Sequence, residues 1–565
     1  MIKNKIKNLQ SRFKKLNIDG YIVPKNDEFF SEYDQNNRLK NISNFSGSAG
    51  FAIILKNKKY LFVDGRYTIQ AKKESSKYFK IIELHKKLPF QIIKKCKLGF
   101  DPKLFTSEQL MFYFQRYNEL IPIKRNLVDS VCFKTKKKTK PFFSLDKSIT
   151  GESRLSKINR IIKYLKKNKT DFLFISAPEN VAWTLNIRGY DNPTSPIPNC
   201  RLIIKKNKEL YLIANNENCQ NIIKQKIIAK NQLINSYLFE SLINKIKGKN
   251  FIIDNKSCSI FHEKIIKSKF KIKNKDDPVY NLKSIKNTCE INHMIQAHNK
   301  DGLALTRFIF WLKNINKKKI TEVDAQNKLE KFRKHDKDYL FPSFNTIAGA
   351  GSNGAIVHYR ATKNSTKIIN KKDIFLCDSG GQYNYGTTDV TRTISFSKPK
   401  KIIKDIYTKV LKGHIAVAQT NLQIDDTGNK IDKRARKFLK GSGLDYAHGT
   451  GHGVGFFLNV HEGPQSISKH NTIKIKKGMI LSNEPGFYKE GYFGIRIENL
   501  VYVKKTNKKI YFENLTFAPM EKNLINFKML SQNEKNYLFK YHLNIYSKYS
   551  KFLSKPEKNW LASLI

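Results

Sequence analysis

The chain has 565 residues, too long for one hydrophobic core, and a length prior gives three or four domains. Its hydrophobic content of 40% and aromatic content of 12% are ample for globular packing. The net charge of +59 has the size of a nucleic-acid footprint, but the lysines are spread from end to end among Asn and Ile. These three residues share AT-rich codons, so a biased genome accounts for the charge. No specific nucleic acid is expected as a partner, only loose, salt-sensitive adhesion to polyanions.

The opening stretch MIKNKIKNLQSRFKKLNIDG alternates Lys with single apolar residues and has no apolar segment of the secretory kind. No run of about 18 apolar residues follows anywhere, so no membrane span is expected. Seven cysteines without CxxC spacing argue against a disulfide framework or a thiolate zinc site and suit a reducing compartment. A cytoplasmic location is the expectation.

Residues 1–145 read as an α/β domain. A basic amphipathic helix leads into a short buried strand, GYIVP, and FAIILKN with KYLFVDGRYTIQA gives a hairpin and the start of a helix. A second α/β domain, 146–282, repeats the order of helix, strand, polar loop and short helix. LNIDGYIVPKNDEFFSEY and KNKTDFLFISAPENVAWT are its parallel stretches, read as a degenerate internal duplication. The third unit, 283–565, begins with a long helix whose apolar stripe is read through Ile291, Ile295, Leu303 and Ile309. It ends in a helical extension over about 525–565, whose Tyr and Phe residues are read as packing.

Every stretch that looks chemical lies in this third unit. LCDSGGQYNYGTTDVTRT (376–393) reads as a hairpin carrying Asp378 and Asp389. Burying two carboxylates beside a sheet is unfavourable unless a cation sits between them. HGTGHGVG adds His452, SNEPGFY adds Glu484 and GIRIENLV adds Glu498. Four carboxylates and one imidazole favour Mn, Mg or Fe over structural zinc, and four negative charges balance two divalent cations. In GIRIENLV, read as one strand, Arg496 and Glu498 share a face. SNEP reads equally well as an ordinary turn, since Glu484 precedes proline. His358, His448, His452 and His461 fall in Gly-rich connections beside the carboxylates, and the other eight histidines are read as structural. Gly349, Gly351 and Gly354 spell GxGxxG, but the following AIVHYRAT reads as a strand rather than a helix, against a dinucleotide site.

Together with NFSGSAGFAII and FVDGRYTIQA, these motifs resemble aminopeptidase P, the Xaa-Pro aminopeptidases of the pita-bread metallopeptidase superfamily in their three-domain form. The resemblance covers essentially the whole chain. It implies a mixed α/β fold, with two creatinase-like N-terminal α/β domains followed by a pita-bread catalytic domain. It also implies hydrolysis of the N-terminal Xaa-Pro bond of peptides with proline second, a pair of divalent ions, Mn²⁺ above all, and a homodimer. Its metal ligands map onto Asp378, Asp389, His452, Glu484 and Glu498, with Asp389 and Glu498 bridging. Glu484 would handle the proton of a metal-bridging hydroxide, while His358, His448 and His461, together with Arg496, would serve the substrate. A prolidase that cleaves only dipeptides, and a non-catalytic pita-bread binding module, are the alternatives.

Overall fold

The computed structural model describes residues 2–33, 37–115, 117–132, 140–314 and 319–565 and forms two compact units, Met1–Tyr280 and Asn281–Ile565. In the N-terminal unit the helix Ile2–Gln10 buries Ile2, Ile6 and Leu9, spaced three and four apart, as an amphipathic helix must. GYIVP is the strand Gly20–Pro24, buried along its length, and Phe51–Leu55 pairs with Lys59–Val63 as the expected hairpin.

Two six-stranded sheets in this unit follow one plan. In space the first runs Lys80–Glu83, Lys59–Val63, Phe51–Leu55, Gly20–Pro24, Lys97–Phe100, Glu119–Pro122. The second runs Leu233–Ile234, Leu210–Ile213, Arg201–Lys205, Phe172–Ile175, Asn250–Ile253, Lys271–Asn274. In both, the earliest strand lies antiparallel to the next and parallel to the fifth, and the outer pairs on either side are parallel. The repeat read from helix and strand order therefore extends to strand polarity.

The C-terminal unit opens with the helix Thr288–Asn314. Its buried face differs from the stripe read in sequence: Ile295 and Leu303 are only half-buried, while Met294, His298, Asp301 and Leu305 are buried. The reason is an ion pair. Asp301 accepts from Arg333 Nε at 2.7 Å and from the Tyr383 hydroxyl at 2.8 Å, which lets a carboxylate occupy a core position.

Among the described residues four groups of strands carry the rest of this unit, one of them the small sheet Tyr339–Pro342, Gly381–Tyr383, Gly386–Thr387. Ile374–Ser379 lies between Ile347–Ala350 and Val390–Ser395, antiparallel to both. A five-stranded sheet runs Glu462–Ile467, Gly451–Gly453, Ile480–Asn483, Asn499–Lys505, Ile510–Asn514. Gly486–Lys489 pairs with Phe493–Arg496. GIRIENLV is thus not one strand but two, Phe493–Arg496 and Asn499–Lys505, with Glu498 at the changeover between partners. AIVHYRAT is not a strand either: a 3₁₀ turn at Gly351–Ala355 runs into an irregular segment. The helix Gln532–Tyr549 buries Leu538, Tyr541, Ile545 and Tyr549 in the core, as its packing reading expected, and leaves Phe539 exposed. Among the described residues no helix is long and apolar enough to cross a membrane.

Candidate metal centre and active site

The hairpin sets two carboxylates on one face. Asp378 pairs in register with Thr391, and Asp389, two residues before Thr391, has the same facing. The connection folds back sharply after Asp378. A Cβ on Gly380 would lie 1.9 Å from the Thr388 carbonyl oxygen, so only glycine fits there.

The other segments are fixed by hydrogen bonds among themselves and, for Glu498, to the hairpin. The His452 N–H donates to Ser482 Oγ (2.8 Å), Ser482 Oγ donates to Glu484 Oε1 (3.0 Å), and the Glu484 N–H donates to the Thr450 carbonyl (2.8 Å). HGTGHGVG and SNEP are thereby held as one piece. A Cβ on Gly451 would fall 1.9 Å from the Ser482 carbonyl, which explains one glycine of that loop by close backbone approach. Glu498 joins from the opposite side: its N–H donates to the Thr391 carbonyl (3.1 Å) and its Oε2 accepts from Thr391 Oγ1 (2.7 Å).

Single ligand atoms of Asp389, His452 and Glu498 lie within 4.8 Å of one another. His452 Nε2 stands 3.5 Å from Asp389 Oδ2 and 3.5 Å from Glu484 Oε1. Asp378 is turned into the same region by Arg496, whose Nη2 donates to its Oδ2 at 2.6 Å. Burial, with Asp378 and Glu484 adding like charge, pushes the Asp389 carboxyl well above the usual range. Burial and the charges of Asp389, Glu484 and Asp378 do the same to Glu498. Asp378 Oδ1, Asp389 Oδ1 and Glu498 Oε1 are buried oxygens without a hydrogen-bond partner. Buried polar atoms are almost always satisfied, so three orphans of one chemistry in one cluster fit divalent cations, and the oxygen-rich donor set fits hard ones.

Arg496 does more than share a face with Glu498. Fully buried, it donates from Nε to Thr391 Oγ1 (3.0 Å) and from Nη1 to the Tyr488 hydroxyl (2.6 Å). His448 Nε2 meets the same hydroxyl at 2.8 Å, so a continuous hydrogen-bond chain runs from His448 to Asp378. The His461 ring lies edge-on to that of His452, with centroids 4.3 Å apart. His358 is half-buried in the irregular segment after Gly351–Ala355. That turn packs against the strand of Arg496 so closely that a Cβ on Gly494 would sit 1.8 Å from the Gly354 carbonyl. Two glycines of GxGxxG, Gly349 and Gly354, thus serve close backbone contact, and the third, Gly351, a positive φ.

Several supporting residues escaped the sequence reading. Thr391 was within reach of it, because a strand period of two carries Asp389 to Thr391. Arg392 was not. It binds the carbonyls of Thr391 (2.8 Å), Glu498 (2.6 Å), Ala518 (2.8 Å) and Pro519 (3.0 Å) together with Tyr541 Oη (2.9 Å), partners far apart in sequence. Asp432 and Arg436 form a second brace. Asp432 accepts from Thr450 Oγ1 (2.6 Å), and Arg436 donates to the His448 carbonyl (2.6 Å). Tyr488 had no signal beyond being the last residue of SNEPGFY.

Family models match this chain over its length: Creatinase/Prolidase N-terminal domains at residues 5–131 and 134–290, Metallopeptidase family M24 at 292–505, and a C-terminal region of the same family at 508–564. The chain is 36% identical to a probable Xaa-Pro aminopeptidase P of Laccaria bicolor, covering 98% of this chain and 91% of that one. It is 35% identical to Xaa-Pro aminopeptidase 1 of Dictyostelium discoideum, over 100% and 96%. Among solved structures, the X-prolyl aminopeptidase of Caenorhabditis elegans, described as a cytosolic enzyme with a di-nuclear active site, superposes with a TM-score of 0.92 at 28% identity, covering 100% of this chain and 99% of that chain. The protein is therefore a member of metallopeptidase family M24, in the long form that carries two creatinase-type domains ahead of the catalytic one.

Proposed function

We propose that this protein is a metal-dependent Xaa-Pro aminopeptidase that removes one residue from peptides with proline in second place. The observation that carries the reading is the cluster of three orphaned buried carboxylate oxygens around His452, in a chain similar from end to end to X-prolyl aminopeptidases. Asp378, Asp389, His452, Glu484 and Glu498 would hold two divalent cations, Mn²⁺ by preference. Bound there, the ions would supply Lewis acidity, polarising the scissile carbonyl and lowering the pKa of a water.

The chain's own residues would do the rest. Glu484, half-buried and with Oε1 fixed by Ser482, takes the proton of the attacking water and later delivers it to the proline nitrogen, which must be protonated to leave. His358 or His461 donates to the developing oxyanion. His448 is held by Tyr488 and Arg496 and lines the substrate groove with them. Proline lacks an amide N–H and has a fixed φ, so a groove shaped for its ring selects what peptidases that bind an extended backbone exclude. We further propose domains at 1–145, 146–282 and 283–565 with a helical extension from about 525, a homodimer, and a cytoplasmic site of action in line with the cytosolic C. elegans relative.

The test is hydrolysis of Arg-Pro-Pro by metal-stripped protein before and after addition of Mn²⁺. Release of free Arg only with metal is expected. Cleavage of Arg-Pro but not of Arg-Pro-Pro would indicate a prolidase, and no cleavage by folded, metal-loaded protein would indicate a binding module.

A further inference from the structure

A fully buried carboxylate lies outside the ligand set, yet it holds the segment that carries His358. Glu322 is the first residue of the helix Glu322–Arg333 and is 0% exposed. Its Oε1 accepts from the Ala350 N–H (2.8 Å) and from Asn353 Nδ2 (3.0 Å). Its Oε2 lies 2.9 Å from the Tyr359 hydroxyl and accepts from the Lys367 N–H (2.8 Å). The Glu322 N–H in turn donates to the Lys367 carbonyl (2.9 Å), and Asn353 Nδ2 also reaches Tyr359 Oη at 2.9 Å.

These partners fall on both sides of His358. Ala350 and Asn353 enter the segment, Tyr359 is the very next residue, and Lys367 leaves it. The carboxylate is ringed by two backbone amides, one side-chain amide and a phenol whose single proton is shared with the Ser365 carbonyl 2.7 Å away, all neutral. Neutral donors do not offset the desolvation of an anion as a cation would, so the site is a poor way to stabilise the fold. The first turn of a helix does favour the charge, and hydrogen bonds to a carboxylate are short and directional. The arrangement therefore yields position more than stability. The segment it fixes is irregular, without a strand or helix of its own to define where His358 sits.

We propose that Glu322 is a positioning residue for the hydrolytic reaction: by tying Ala350, Asn353, Tyr359 and Lys367 to one carboxylate, it sets the place of His358. The inference rests on the aminopeptidase reading above. Its distinguishing consequence is that the effect of Glu322 passes through His358.

The experiment is a double-mutant cycle on the full-length, manganese-loaded protein with Arg-Pro-Pro, using Glu322→Gln, His358→Ala and the pair. Glu322→Gln keeps the shape but turns an acceptor into a donor facing other donors. The expected result is a fall in kcat of about 10- to 100-fold, the size of effect that misplaced catalytic geometry produces, with KM changed far less. Metal content should match the parent. In the His358→Ala background the same substitution should change kcat less than about 2-fold, because interacting residues are non-additive. Equal fold-losses in both backgrounds would overturn the proposal and leave Glu322 a structural residue. Should Glu322→Gln fail to fold, Tyr359→Phe, which removes one hydroxyl from the carboxylate, takes its place in the same cycle under the same two outcomes. A parent protein inactive at every metal loading would overturn the aminopeptidase reading itself, and this inference with it.

Discussion

At the scale of single residues, the candidate site is a set of buried, crowded carboxylates, of which Asp378 is held by the Arg496 guanidinium. Asp389 stands at the centre, close to His452, with Asp378 and Glu484 adding their charge. Replacing it with alanine should abolish Mn²⁺ uptake and Arg release together, measured by metal analysis after gel filtration and by free amino acid. Retention of full turnover would remove Asp389 from the ligand set. Residue identity was the most legible layer of this molecule, because a carboxylate in a glycine-rich hairpin has few bland explanations. Less legible were residues whose role depends on partners distant in the chain. Arg392 lies within a legible pattern, TDVTRT, but its meaning resides in the carbonyls of Ala518 and Pro519.

At the scale of elements, the deciding feature is how closely backbones approach. The turn Gly351–Ala355 meets the strand Phe493–Arg496 at Gly354 and Gly494, a contact with no room for a methyl group. Gly494→Ala is expected to destabilise the protein by about 1–3 kcal/mol, the range for overpacked sites. It should also lower kcat/KM, since His358 lies just beyond one partner and Arg496 is on the other. Urea unfolding and Arg-Pro-Pro kinetics on the same preparation check both, and an unchanged midpoint would contradict the contact. Hydrophobic periodicity foretold the first hairpin and the basic helices well. It misplaced the buried face of Thr288–Asn314, where Asp301 is accommodated by Arg333, and it joined two strands at Glu498 that belong to different pairings. In both places a polar interaction overrode the apolar pattern.

At the scale of the whole molecule, buried titratable groups set the response to acid. Burial holds His298 and His542 down at about 4, His414 at about 3, and His262 well below its ordinary value. In the unfolded chain these imidazoles take up protons near pH 6.5, so the stability they contribute is complete above that value. It is lost on acidification at about 1.4 kcal/mol per pH unit for each group, until the folded values are reached. Asp277, raised by burial to about 7, acts in the opposite sense, as do Asp389 and Glu498 while they are free to hold protons. Metal would deny protons to those last two. The metal-loaded protein should therefore lose stability from pH 7 to pH 5, and the stripped one much less, because in it the carboxyls offset the imidazoles. Urea midpoints at both pH values measure this, and parallel profiles would refute it. The overall plan was legible because the repeat of helix and strand order in the N-terminal half survives even where identity between the copies is low.

The grip of Arg392 has a consequence for synthesis. Glu498 is the last of the five proposed ligands to be translated, and its carbonyl is fixed by a guanidinium that also binds Ala518, Pro519 and Tyr541. Ala518, Pro519 and Tyr541 all follow Glu498 in the chain, so the guanidinium gains its full set of partners only once the helix Gln532–Tyr549 has been made and has docked.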